Sequence, residues 1–233
     1  MLISIIIPVY NEEKTIKEIL EKINKIKKFK KQIIIVNDAS NDNSVNIIKK
    51  KCDGLYNKFI NLEKNRGKGY ACREGIKFAE GDVILIQDAD LEYDPNDYEI
   101  ILEPIFNKQA NVVYGSRFLR NSKRVIKFSF DSVIRLCANY FLTYLSNLMN
   151  KQNLTDAHTC YKAITRNVID QIELIEDGFE FCPEITAKIS KLGIKIHEVP
   201  INYYGRTHEE GKKISFIDGF RAMYAILKHN IFK

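Results

Sequence analysis

Several things are missing from this chain. Its five cysteines, Cys52, Cys72, Cys137, Cys160 and Cys182, are odd in number and form no CxxC pair, which excludes a zinc finger and a disulfide framework as the organising device. A reduced, cytoplasmic chain is the expectation. The four histidines, His158, His197, His208 and His229, show no HxH or HExxH spacing, which disfavours a zinc hydrolase. Nowhere do the roughly 18 uninterrupted apolar residues of a spanning helix occur. The N-terminal MLISIIIPVYNEE lacks a basic lead-in and a small-residue cleavage site and reaches proline at position 8, so it reads as a first strand rather than a signal peptide. Strong charge of one sign is also lacking: 36 Lys and Arg face 30 Asp and Glu, a net +6, with lysines gathered in KINKIKKFKK and IIKKKC. That balance suits a solvated lysine-rich face, an anionic ligand or an acidic membrane surface, and argues against nucleic acid.

What the chain does have is a rhythm. ISIIIPV and QIIIVND are short β-branched runs of the kind that form strands buried on both faces, and between them Ile16, Ile19, Leu20, Ile23 and Ile26 recur at helical spacing. SVNIIKKK follows as a helix with Ser44 as its expected cap, FINLEKN as a third strand, GYACREGIKFAEG as a helix closed by Gly81, and DVILIQ as a fourth strand. PNDYEIILEPIF begins a helix with proline at its first position, and ANVVYGSRF supplies a fifth strand. The alternation predicts an α/β fold, a mostly parallel Rossmann-like sheet with helices on both faces, whose ligands bind at the carboxyl ends of the strands. At 233 residues and 45% hydrophobic content, the chain suits one large domain with a substantial core.

The strand ends therefore belong together. They read PVYNEE, NDASND, KNRGKG and QDADLE; any one of them is ordinary turn composition, but four polar ends converging on one edge are not. In VILIQDADLEYDP an aliphatic run meets Asp88, Asp90, Glu92 and Asp94. Asp88 and Asp90 stand at i and i+2, on one side of an extended backbone, so both can address a single ion. Carboxylate oxygens suit a hard divalent cation, Mg or Mn, that keeps part of its shell for substrate phosphates. KNRGKG places Lys64, Arg66 and Lys68 with Gly67 and Gly69 at a helix entrance, where an anion is favoured; its spacing is neither a Walker A loop nor GxGxxG.

The ordered set PVYNEE, VNDASNDNS, NRGKGYACREGI, QDADLEYDP, GSRF and EVPINYYGRTHEEGKK resembles the family 2 glycosyltransferases of the GT-A fold, in particular the dolichyl-phosphate mannose synthase and polyprenyl-phosphate glycosyltransferase branch. The resemblance covers about residues 1 to 213. It implies a catalytic domain over 1–213 followed by an amphipathic C-terminal helix over 214–233 with no transmembrane domain. It further implies that Pro8, Tyr10 and Glu12 hold the nucleotide, that Asp38 contacts base or ribose, and that Asp88 and Asp90, with Ala89 lining the site, bind metal and diphosphate. Glu92 stands where the family commonly has glutamine and is the third candidate metal ligand. Arg117, Arg206 and Lys212 match basic positions that hold phosphates. Asn37 departs from the family, which often has a first aspartate there.

The implied activity is a metal-dependent, inverting transfer of a hexose from a UDP- or GDP-linked donor to a polyprenyl phosphate. A divalent ion with arginine and lysine is the expected means of neutralising a departing diphosphate, and Asp90 and Arg117 are the groups placed at that step. A phosphate acceptor arrives ionised; a hydroxyl of a glycan or protein, the alternative acceptor, requires a general base, for which Asp156 and Glu184 are the candidates. A nucleotide-sugar binding partner without turnover is the alternative of another class. The segment 124–150, with Arg124, Lys127 and Arg135 among Phe, Tyr, Leu and Ile, fits a helix in a membrane interface, in the core or against a dimer partner. The last segment, ISFIDGFRAMYAILKHNIFK, repeats the mixture. Peripheral attachment to the cytoplasmic face of a membrane, directly, as a homodimer or through a separate membrane partner, is the corresponding expectation.

Overall fold

The computed structural model describes residues 1–126, 130–207, 211, 213 and 216–231. A seven-stranded sheet forms the centre. Its strands are β1 (Leu2–Val9), β2 (Lys30–Asn37), β3 (Lys58–Asn61), β4 (Val83–Ile86), β5 (Val112–Ser116), β7 (Lys162–Thr165) and β8 (His197–Pro200), in the spatial order β3-β2-β1-β4-β7-β5-β8. β6 (Arg124–Ile126) and β9 (Tyr203–Gly205) pair in parallel as a separate two-stranded sheet.

Period-two alternation distributes each strand between two cores. Ile3, Ile5, Ile7 and Val9 of β1, with Ile33 and Ile35 of β2 and Val83 and Leu85 of β4, enter one hydrophobic layer, with α1 (Ile16–Lys25) and α4 (Tyr98–Phe106). Ile6, Ile84 and Ile86 point to the other face, against α3 (Lys68–Lys77) and α7 (Phe181–Lys191). Each such side chain taken wholly out of water contributes about 1.5–3 kcal/mol, so a one-residue slip in register would expose both layers at once.

All neighbours in the sheet are parallel except β7, which is antiparallel to both β4 and β5. Since Ile86 pairs with Lys162, the residues that precede β7 emerge at the same edge as those that follow β4. The loop 155–161 thereby joins the carboxyl ends of β1, β2, β4, β5 and β8. β7 is four residues long and begins with lysine, too weak a pattern to announce a central strand.

Two local expectations are corrected. Ser44 does not cap α2 (Ser44–Lys51): it is the first helical residue, and its Oγ accepts the Glu12 N–H at 2.9 Å, tying α2 to the end of β1. Gly81 does not close α3, which ends at Lys77; a Cβ there would lie 2.5 Å from the Ser4 nitrogen, and the Gly81 N–H donates to Ser4 Oγ at 2.8 Å. The segment read as one amphipathic stretch over 124–150 divides into β6 and α5 (Phe130–Asn150). The expected C-terminal helix is α8 (Phe216–Ile231), which packs on α5 and α7.

Candidate active site

The strand ends surround a cleft of ≈ 310 Å³ lined by Pro8, Tyr10, Glu12, Asp38, Asp88, Ala89, Asp90, Glu92, Arg117 and Arg206. Every residue expected to contact donor or metal is there except Lys212, which lies outside the described residues. Its neighbour Lys213 also lines the cleft. The backbone turns sharply where the strands deliver these groups: Asn11, Ala39 and Leu91 have φ of 50, 54 and 63. For alanine and leucine this conformation costs on the order of 1 kcal/mol, and strain of this kind concentrates at functional sites.

Asp88 and Asp90 face different cations. Lys68 Nζ, on the first turn of α3, donates to Asp88. Burial pushes the Asp88 carboxyl up, but the Lys68 ammonium outweighs it and holds the group below the usual carboxylate range. Asp90 accepts from Arg206 Nη2 at 3.0 Å. Burial, then the charges of Asp88 and Glu92, raise its carboxyl to about 7 against that guanidinium. With Glu12 and Glu92 beside them, four carboxylates meet three paired cations, Lys68, Arg206 and Lys213, among the described residues. This surplus, on hard oxygen donors, fits a divalent cation. Among the described residues no three His, Cys, Asp or Glu groups form a ready-made metal cage.

Glu92 has other work. Its Oε2 accepts from Tyr203 Oη at 2.6 Å and its Oε1 from the Arg206 N–H at 2.8 Å. It holds the 203–206 segment over the cleft, so that Arg206 reaches Asp90 and both oxygens of Glu12, at 3.0 and 3.1 Å. Lys213 Nζ adds a 2.6 Å contact to Glu12 and donates to the Tyr10 carbonyl. Metal ligation by Glu92 would compete with this anchoring.

Asp38, expected at the base or ribose, accepts from the backbone N–H groups of Arg66 at 2.8 Å and Gly67 at 2.7 Å. Its carboxylate ties the loop before α3 to the end of β2, and burial raises its pKa despite these bonds. Gly67 is required there: its φ is 103, and a Cβ would sit 2.6 Å from the Asp177 carbonyl. Lys68 is thus delivered to Asp88 by a loop that Asp38 pins.

The two candidate bases are both saturated. Asp156 is fully buried and takes a bidentate pair from Arg117, Nε at 2.6 Å and Nη2 at 2.8 Å, plus the Arg117 N–H at 3.2 Å. Burial opposes its ionisation, yet Arg117 keeps its pKa low. Glu184, also fully buried, accepts from the N–H groups of Ile175 and Glu176 at 2.7 and 2.9 Å and from Lys188 at 2.8 Å, and does not line the cleft. Asp156 orients Arg117 and Glu184 closes a loop; neither is placed as a base.

Sequence reasoning favours a surface or packing role over a phosphate contact for His158 and gives Cys160 none; both are on the cleft wall. Burial, with Lys162 nearby, lowers the His158 pKa to about 4, so the ring is neutral. Cys160 Sγ lies 2.9 Å from Lys68 Nζ. Only their place in a loop before an unrecognised antiparallel strand could have revealed them.

The sequence model described as Glycosyl transferase family 2 matches residues 4–173. The chain belongs to glycosyl transferase family 2. This glycosyltransferase is 28% identical to a UDP-N-acetylglucosamine–dolichyl-phosphate N-acetylglucosaminyltransferase of Methanococcus voltae, over 97% of this chain and 95% of that one. It is 31% identical to a dolichyl-phosphate beta-glucosyltransferase of Dictyostelium discoideum, over 91% of this chain and 68% of that one. Among solved structures, glucosyl-3-phosphoglycerate synthase from Mycobacterium tuberculosis, in complex with Mn2+ and UDP-glucose, superposes with a TM-score of 0.72 at 15% identity, covering 98% of this glycosyltransferase and 79% of that chain. That likeness confirms the GT-A fold expected of it.

Proposed function

We propose that this glycosyltransferase moves a hexose, with inversion, from a nucleoside-diphosphate sugar to a polyprenyl phosphate, using Mg or Mn. One observation carries the choice of acceptor. Every carboxylate lining the cleft among the described residues already accepts a hydrogen bond from the protein, and the two alternatives outside it, Asp156 and Glu184, are saturated. A hydroxyl acceptor requires a base, a role for which these carboxylates are already engaged and which would fall to the neutral His158 ring on the cleft wall, whereas a phosphate monoester brings its own anionic oxygen. The names of the Methanococcus and Dictyostelium relatives, both of which specify dolichyl phosphate, agree.

In this reading the nucleotide lies over Pro8, Tyr10 and the Asp38 end of the cleft, and the diphosphate reaches Asp88 and Asp90. The cation they hold would polarise the diphosphate and neutralise charge as it departs. Arg117, locked by Asp156, presents a preorganised guanidinium to the same region. Lys68, Arg206 and Lys213 exchange carboxylate partners for phosphate oxygens as donor enters. The acceptor oxygen attacks the anomeric carbon from the side opposite the leaving diphosphate, giving one inversion.

Membrane attachment has its own support. Tyr140, Tyr144 and Leu148 share one face of α5, with Phe141 beside them, and Phe220 and Tyr224 continue the exposed surface on α8; Tyr144 is 69% and Phe220 70% exposed. The two helices pack on each other through Leu142, Ala222 and Ile226. No helix among the described residues is long and apolar enough to cross a membrane, so attachment through this face is peripheral. The test is transfer from radiolabelled UDP- and GDP-sugars to polyprenyl phosphate in vesicles, with Mg or Mn and after chelation. Transfer of radiolabel only to soluble glycan or protein hydroxyls would overturn the acceptor assignment.

A further inference from the structure

Lys162 is a charged side chain with no role in the chemistry above and a costly position. It opens β7 in the middle of the sheet and is fully buried. Among the described residues no carboxylate lies at salt-bridge distance from it. Its ammonium instead donates to the carbonyls of Thr159 at 2.6 Å and Ala157 at 3.3 Å, and stands 3.8 Å from the centre of the Tyr114 ring. Tyr114 is itself fixed by a 3.0 Å hydrogen bond between its hydroxyl and Thr186. Burial holds the Lys162 pKa below its ordinary value. A position that needed only filling would be served at least as well by methionine, because a buried charge is neutral or unfavourable next to an apolar side chain of the same volume.

The two carbonyls belong to the loop that enters the active site. Its Asp156 orients Arg117 through two side-chain bonds, and its Cys160 contacts Lys68, the partner of Asp88. The N–H groups of the same loop are held from elsewhere: Asp156 N–H by Glu198 at 2.9 Å, Ala157 N–H by Thr143 at 3.3 Å and Cys160 N–H by Tyr93 Oη at 3.1 Å. Carbonyls 157 and 159 are the other half of this framework, and Lys162 takes both.

We propose that Lys162 is a positioning residue for sugar transfer: its buried ammonium clamps the 157 and 159 carbonyls and so fixes the loop that aims Arg117 and Lys68 at the departing diphosphate. The inference rests on the reading of those two cations as diphosphate-facing groups. Lys162 touches neither donor nor acceptor, so its loss acts on the barrier more than on binding, as small misplacements of reacting groups do.

The test compares Lys162→Met with wild type for melting temperature, for the affinity of UDP and GDP with Mg by calorimetry, and for turnover measured as nucleoside diphosphate released. The expected variant melts cooperatively, binds the nucleoside diphosphate within about threefold of wild type, and loses about 20-fold or more in kcat. Combined with Arg117→Lys, the double variant loses clearly less than the product of the two single losses, because both changes act in part through the Arg117 guanidinium. A kcat within about threefold of wild type, or losses that multiply in the double variant, would overturn the proposal. Should Lys162→Met not fold, Lys162→Gln, which keeps an N–H donor for one carbonyl, takes its place; failure of both to fold assigns Lys162 to the core alone and also overturns it. Each variant is measured against wild type on whichever acceptor wild type uses, so a failure of the polyprenyl-phosphate reading shows in wild type and a failure of this one only in the variants.

Discussion

Asp90 lines the cleft with its side chain 17% exposed and Asp156 is fully buried, yet it is Asp90 that is pushed up to about 7 and Asp156 that is held low. The difference lies in their company. Asp156 has one arginine to itself, meeting both oxygens, while Asp90 shares Arg206 with Glu12 and lies beside two other carboxylates. A carboxylate with its own full complement of donors is scaffold; one that shares its donor with neighbouring carboxylates is where a cation would fit. The charges behind Arg117 are matched, and the near edge formed by Asp88 and Asp90 is the candidate cation site.

The largest way to break that contrast is Asp90→Asn. It should abolish turnover by about a thousandfold or more while leaving the melting temperature unchanged or raised, because it removes charge from a repelling group; activity retained within tenfold would mean the near edge is not the cation site. Asp156→Asn should lose both properties. It leaves Arg117 buried without its counter-charge, costing about 3–5 kcal/mol of stability, and lets the guanidinium drift, costing about a hundredfold in kcat. Denaturant melts paired with kinetics would show it, and a purely kinetic loss would place Asp156 among the reacting groups instead. Glu184→Gln should affect folding alone. About 1–3 kcal/mol of stability goes with one charged acceptor, and kcat per folded molecule stays at the wild-type value; a large kcat loss would return Glu184 to the list of bases.

A smaller effect sharpens the comparison through pH. His158 has a folded pKa of about 4, below the ordinary value near 6.5, so the unfolded chain binds the extra proton. Its contribution is therefore complete above about pH 6.5 and is lost as pH falls toward 4, by roughly 3 kcal/mol at most. His158→Gln should flatten this part of the stability profile, and an unchanged acid limb would place the ring in contact with water. Smallest in its effect on the fold is Phe220→Ser, expected to change stability by less than about 0.5 kcal/mol while reducing sedimentation with anionic vesicles; unchanged sedimentation would remove the exposed face of α8 from the membrane reading.

Much of this was legible in the chain. β-branched runs such as IIIVN declare strands without help from their surroundings, and the parallel-sheet rule then places PVYNEE, NDASND and QDADLE on one edge. The family resemblance supplied Arg117 and Arg206. Roles that depend on a distant partner were hidden. Asp38 is pinned by N–H groups 28 and 29 residues away, and Asp156 by an arginine 39 residues away. Ser44 reads as a cap because caps are local, but its partner is Glu12. β7 was invisible for the opposite reason: Lys-Ala-Ile-Thr has too little pattern of its own, and tertiary packing alone makes it a strand.

That one reversed strand also sorts the molecule for an engineer. With β7 turned round, the residues before it join the ligand edge with the carboxyl ends of its neighbours, and the opposite edge is left to connections that touch no functional group described here. The turns at Gly54 and Gly193, each with open space around it and φ of 74, are on that far side. An affinity tag, a fluorescent label or a short inserted epitope placed at either turn should leave turnover intact, which makes them the attachment points for testing whether this enzyme meets a membrane.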